Sequence, residues 1–136
     1  MSRPVVSSEQ ARRLFLQRHG LAQPLKAQLS QAALARKIEA LGFVQVDSIS
    51  TVERAHHMIL FARNHTYRQR QLDRLHARDA AVFENWTHDA ALIPMAFFPY
   101  WQRVFQRRAE HLHGRFHRYH GAAFQQRIQH VMAQIA

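Results

Sequence analysis

Apolar residues recur at helical spacing along most of the chain and at strand spacing in two short stretches. Ser7-Ser8-Glu9-Gln10 supplies a cap for a first helix carrying Leu14 and Leu16, with Gly20 as its stop and Leu21 just beyond. After the Gln23-Pro24 connector, Ser30 caps a second helix with Leu34, Ile38 and Leu41 on one face and Gly42 as its terminator. The stretch GFVQVDSIS (42–50) then alternates as a strand does: Val44 and Val46 face one way, Gln45 and Asp47 the other. Ser50-Thr-Val-Glu53 reads as a second capping box leading to Ile59, Leu60 and Phe61, and the segment from Tyr67 is amphipathic through Leu72 and Leu75. Residues 80–94 read as paired strands, Val82-Phe83 and Ala91-Leu92-Ile93, with polar Asn85 to Asp89 between them. Pro94 suits the first turn of a helix bearing Met95, Phe98, Trp101, Val104 and Phe105. A last helix over 115–136 turns Phe116, Phe124, Ile128, Val131 and Ile135 inward.

These elements predict a mainly α protein with a small β component: a winged-helix (helix-turn-helix) module followed by C-terminal helices. A chain of 136 residues suits one domain, which we place over 1–136. At this length folding buries about two-thirds of the unfolded surface. No repeat, low-complexity block or linker interrupts it.

Charge narrows the partners. There are 19 Lys and Arg against 9 Asp and Glu, a net charge of +10, and only Lys26 and Lys37 are lysine. Arginine's planar fork suits phosphate oxygens and base edges, so a polyanion, nucleic acid ahead of membrane, is the expected partner. No apolar run reaches membrane-spanning length, and the N-terminal residues are charged throughout, so the expected location is cytoplasmic. The absence of cysteine excludes disulfides and thiolate metal sites. His113, His117 and His120 share a helical face, but with 11 histidines in the chain chance spacing is the better account, and no metal site is assigned.

Three blocks carry more than composition: LGFVQVDSIS, ERAHHMILFAR and FENWTHDAALIP, in that order within residues 41–94. Together they resemble the winged-helix DNA glycosylases of the YcaQ/AlkZ type, which unhook interstrand crosslinks. The matching residues are Gln45-Val46-Asp47; Arg54 with Leu60-Phe61-Ala62-Arg63; and Glu84-Asn85-Trp86-Thr87-His88-Asp89. Aspartate in the third motif position puts the chain nearer the Gln-x-Asp branch. Members of that family have further winged-helix modules and a C-terminal barrel, so this chain is expected to be the N-terminal module of a longer architecture, acting in a bacterial, nucleoid-associated setting.

The resemblance implies hydrolysis of the N-glycosidic bond of N7-alkylguanine in duplex DNA, alkylated or crosslinked, with no cofactor. Such a base already carries positive charge and leaves without a general acid. What remains is to stabilise an oxocarbenium-like sugar and to place a water. A carboxylate about 4 Å from that cation contributes on the order of 4 kcal/mol at an effective dielectric near 20, roughly a thousandfold in rate. The resemblance gives that task to Asp47 and orientation of the water to Gln45. It makes Arg54, Arg63 and His88 DNA contacts, and Glu84 and Trp86 supporting residues; by spacing alone Trp86 reads as core.

Other readings stand beside these. Gln45 and Asp47 also fit a solvated strand face, with Asp47 bonding backbone on the way into the next helix. The chain as a whole also fits a non-catalytic winged-helix DNA-binding module, or more remotely an RNA-binding protein. The apolar C-terminal helix is expected either to pack within the module or to support self-association.

Overall fold

The computed structural model describes residues 5–120 and 122–135. Backbone contacts divide the chain into two compact units, residues 1–96 and 97–136.

The first unit opens with α1 (Ser8–Arg18), capped as its sequence predicts: Ser7 Oγ accepts from the Gln10 N–H, and Gln10 reaches back to the Ser7 N–H at 2.9 Å. Gly20 closes the segment at φ +68°. The helix buries none of its residues, and Leu14 and Phe15 are more than half exposed. Its apolar positions therefore do not belong to the core.

α2 (Gln31–Leu41) is the central support. Ser30 Oγ caps it through the Ala33 N–H, Leu34 and Ile38 are fully buried, and Gly42 ends it at φ +87°, where a side chain would strain the backbone. Each of those two side chains contributes about 1.5–3 kcal/mol by leaving water. β1 (Val44–Gln45) follows, then α3 (Ala55–Phe61), α4 (Gln69–Ala77), β2 (Val82–Trp86) and β3 (Ala90–Pro94). The sheet has the order β1-β3-β2, antiparallel throughout. A helix, an edge strand, two helices and a hairpin whose second strand lies in the middle is the winged-helix-like arrangement.

One face of the sheet carries Val44, Leu92 and Val82 into a core with Leu29, Leu34, Ile38, Leu60, Tyr67, Leu72 and Leu75. The turn between α3 and α4 is tied to the segment before α2 by buried Asn64. Its Nδ2 donates to the Ala27 carbonyl at 2.9 Å, and its Oδ1 accepts from Thr66. A buried amide satisfied on both sides holds the helix pair in one arrangement.

Two expectations for this unit are corrected. Ser50-Thr-Val-Glu53 forms no capping box: α3 starts at Ala55 behind Arg54, and the Glu53 carboxylate accepts from the Arg54 N–H and from Gln69 instead. Pro94 is the last residue of β3, opposite Val82, not a helical first turn. Its missing N–H costs nothing there, because pairing passes to the Met95 N–H, which donates to the Ala81 carbonyl at 2.9 Å.

The second unit holds α5 (Phe98–His120) and α6 (Ala122–Ile135). α5 runs through Gly114 and Arg115, where the sequence predicts the start of a new helix. Val131 and Met132 are 49% and 61% exposed, so Val131 is not a core position. The side chains of His117, His120, Phe124 and Ile135 lie outside the described residues.

Candidate functional site

The order β1-β3-β2 brings the chemistry together. Gln45 pairs with Ala91, and Ala91 with Asn85, so these three share a cross-strand row on the face opposite the hydrophobic core. Asp89, two residues before Ala91, projects to that same face from the start of the hairpin's return. Gln45 Nε2 accordingly donates to Asp89 Oδ2 at 3.1 Å, while Asp89 Oδ1 accepts the Ala90 N–H at 2.8 Å. Ala91 and Ile93 on this face are also fully buried, so the polar pair borders a dry surface.

Asp47 follows directly. Regular pairing ends at Gln45, yet the Val46 N–H still donates to the Ala90 carbonyl at 2.8 Å, which holds the strand's end in place. The chain then turns: Asp47 Oδ1 accepts the Ile49 N–H at 2.8 Å, an Asx turn. No second hydrogen bond reaches the half-buried carboxylate among the described residues, which leaves Oδ2 available.

Behind Asp47 stands a histidine the sequence reading did not single out. The Asp47 N–H donates to Nδ1 of buried His56 at 3.4 Å, so the neutral ring carries its proton on Nε2. Burial holds the His56 pKa below its ordinary value of 6.5, with the nearby His57 and Arg54 charges acting in the same direction against Glu53 and Asp47. The His56 and His57 rings lie 4.2 Å apart, and His57 Nδ1 is 2.8 Å from the hydroxyl of Tyr67, a phenol that burial keeps protonated. His56 and Asp89 were both inside the motif blocks; what identified them is placement, not spacing.

The remaining residues fall into two places. His88 is exposed at the tip of the three-residue turn Thr87-His88-Asp89, edge-on to the Phe43 ring at 5.8 Å. Glu84 and Trp86 are exposed positions of β2, and Trp86 is 57% exposed, so it is not the core residue its spacing suggested. It stands in the sheet's last pair, opposite Ala90 and next to the turn. Arg54 is exposed at the start of α3. Arg63 points elsewhere: Nε donates to the His19 carbonyl at 2.8 Å and Nη1 to the Ile59 carbonyl at 2.7 Å. It fastens the end of α1 to α3 and does not join Gln45 and Asp47.

Among the described residues no His, Asp and Glu side chains gather as a metal site, and no helix is long and apolar enough to cross a membrane.

A winged-helix-like module with a Gln-x-Asp strand end beside its wing is thus the class of protein that the fold and site define. Residues 38–136 match the family described as DNA glycosylase AlkZ-like, and the chain belongs to that family. No solved structure matches this chain.

Proposed function

We propose that this chain excises N7-alkylated guanine from duplex DNA and unhooks interstrand crosslinks, hydrolysing the N-glycosidic bond with Asp47 and Gln45. The observation that carries the reading is the pairing of Gln45 with Asp89 next to an Asp47 carboxylate with one oxygen available. The Asp89 carboxylate can only accept, so the Gln45 amide must turn its N–H₂ to it, which leaves Oε1 to accept from a water. Asp47 Oδ2 serves as the fixed negative charge for the developing sugar cation. The Ile49 N–H on Oδ1 keeps that charge oriented before substrate arrives, so little reorganisation is needed in the transition state. Arg54, His88 and Trp86, exposed on α3 and the wing, contact the DNA, and Glu84 supports the wing. The site asks for no metal or cofactor, and its place is on the bacterial chromosome.

The test is incubation with duplex DNA carrying N7-methylguanine, scoring free base. Release that is lost in Asp47→Asn supports the reading; no release by the parent refutes it.

One observation favours a second reading, a winged-helix DNA-binding module without turnover. Asp47 Oδ1 already caps backbone, as a purely structural aspartate would. Binding to undamaged duplex with no base release distinguishes it. Self-association through α6, where Val131 and Met132 are exposed, belongs to the same proposal and is read by sedimentation over a range of concentrations.

A further inference from the structure

Away from the Gln45–Asp47 face, α1 and α2 enclose a cleft of about 480 Å³, within the range of ligand sites generally. Arg18 and His19 line it from the end of α1, Arg36 and Lys37 from α2, and Arg63 closes it. No carboxylate is among its lining residues. Among the described residues the one ion pair is Arg74–Asp79, so Arg18, Arg36, Lys37 and Arg63 have no carboxylate partner. Like charges gathered without counter-ions repel one another, and a surface that keeps them together is stabilised by an anion.

Arg63 gives the cleft its geometry. Its stem passes the Cα side of Gly20, where an added Cβ would stand 4.0 Å from Cδ, and its Nε and Nη1 are held by two carbonyls. The second terminal nitrogen is thereby pre-aimed, since the guanidinium is planar. Arg36 is exposed and Lys37 half-exposed on successive positions of α2, so both reach an anion without desolvating buried groups. Leu41, Ala33 and Ala40 supply an apolar wall against which a sugar can lie.

We propose that this cleft binds the phosphodiester backbone of nucleic acid, as a contact separate from the wing and from the Gln45–Asp47 site. It deepens the reading above, because it rests on DNA being the substrate. Its part is to hold the duplex at a second point, with Arg36, Lys37 and Arg18 on phosphate oxygens and Arg63 as the positioned donor. Phosphate contacts of this kind fix register and carry no sequence information.

The experiment is a fluorescence-anisotropy titration of an undamaged duplex at several salt concentrations, with the parent and with Arg36→Ala/Lys37→Ala. Each phosphate contact contributes about −0.9 to the log–log salt slope, so the double variant should flatten it by about 2. Arg18→Ala, on a helix with no buried residue, should flatten it by about 1 and guards against misfolding of the double variant. An unchanged slope in both overturns the assignment. So does an equal flattening by Arg103→Ala/Arg107→Ala, exposed positions on α5, because the effect would then be one of net charge. Saturable binding of inorganic phosphate with no change in the DNA slope would give the cleft to a small anion and likewise overturn it. Base release is scored on the same samples. Excision with an unchanged slope sinks the cleft alone; a flattened slope without any excision sinks the catalytic reading alone.

Discussion

Gln45 and Asp89 stand 44 positions apart in sequence and are joined side chain to side chain, Nε2 donating to Oδ2 at 3.1 Å. The bond fixes which end of the amide faces away from the wing. Replacing Asp89 by Asn lets the two amides pair in either sense, so Oε1 is no longer held outward. Asp89→Asn should slow release of N7-methylguanine about tenfold, or ~1.4 kcal/mol, with DNA affinity unchanged. Combined with Gln45→Ala it should add nothing to the loss that Gln45→Ala causes alone, since both remove one arrangement. Additive losses in single-turnover kinetics would separate the two residues.

Asp47 allows its two roles to be told apart. Asp47→Asn keeps an oxygen for the Ile49 N–H but removes the charge. Excision should fall by on the order of a hundred- to a thousandfold. Stability should stay within about 0.5 kcal/mol of the parent. Asp47→Ala removes the turn's hydrogen bond too and should cost about 1 kcal/mol in addition. Equal activity in the parent and Asp47→Asn, alongside a fall in melting temperature, would make the residue a backbone cap only.

His56 sets a pH dependence of stability. Its folded pKa lies below 6.5, so on acidification the unfolded chain takes up the proton first. Its contribution is complete above about pH 6.5 and declines as the pH falls from there towards the folded value. The groups that face it are His57 and Arg54, which oppose its protonation, and Glu53 and Asp47, which favour it. One such group changes stability by at most ~1.4 kcal/mol per pH unit. Urea unfolding of His56→Gln should lose stability more gently than the parent below pH 6.5; parallel curves would remove His56 as the cause.

Arg63→Lys keeps the charge and loses the fork. Lysine cannot reach the exposed His19 and half-buried Ile59 carbonyls together, so at least one of the two loses its partner. The cost should be about 1–3 kcal/mol, seen as a melting temperature lower by several degrees. A variant as stable as the parent would show that these bonds do not hold α1.

What the sequence made legible was mostly local. Ser7 with Gln10, Ser30 and Gly42 act through neighbours within a few positions, and each forms the cap or stop its spacing implies. Leu34, Ile38, Leu72 and Leu75 are buried because a strong periodic face leaves little choice of side. Ser50 to Glu53 failed for a non-local reason: Gln69, from another helix, shares the Glu53 carboxylate with the Arg54 N–H. Leu14 and Leu16 mark a helix by their spacing, but nothing in the periodicity says whether a surface exists to receive them. In the site, Gln45 and Asp47 were visible as a motif. Asp89 and His56 took part only once strand order and helix packing had put them there.

The wing turn shows what this costs in freedom. Trp86 opposite Ala90 closes its stem, and the Asp89 carbonyl accepts from both the N–H and the hydroxyl of Thr87, at 2.9 and 3.3 Å. An inserted residue would break that closure or rotate Asp89 to the other side of the sheet, away from Gln45. An exposed hairpin turn is ordinarily among the easiest places to lengthen a protein. Here it is held to three residues by the amide whose direction it sets.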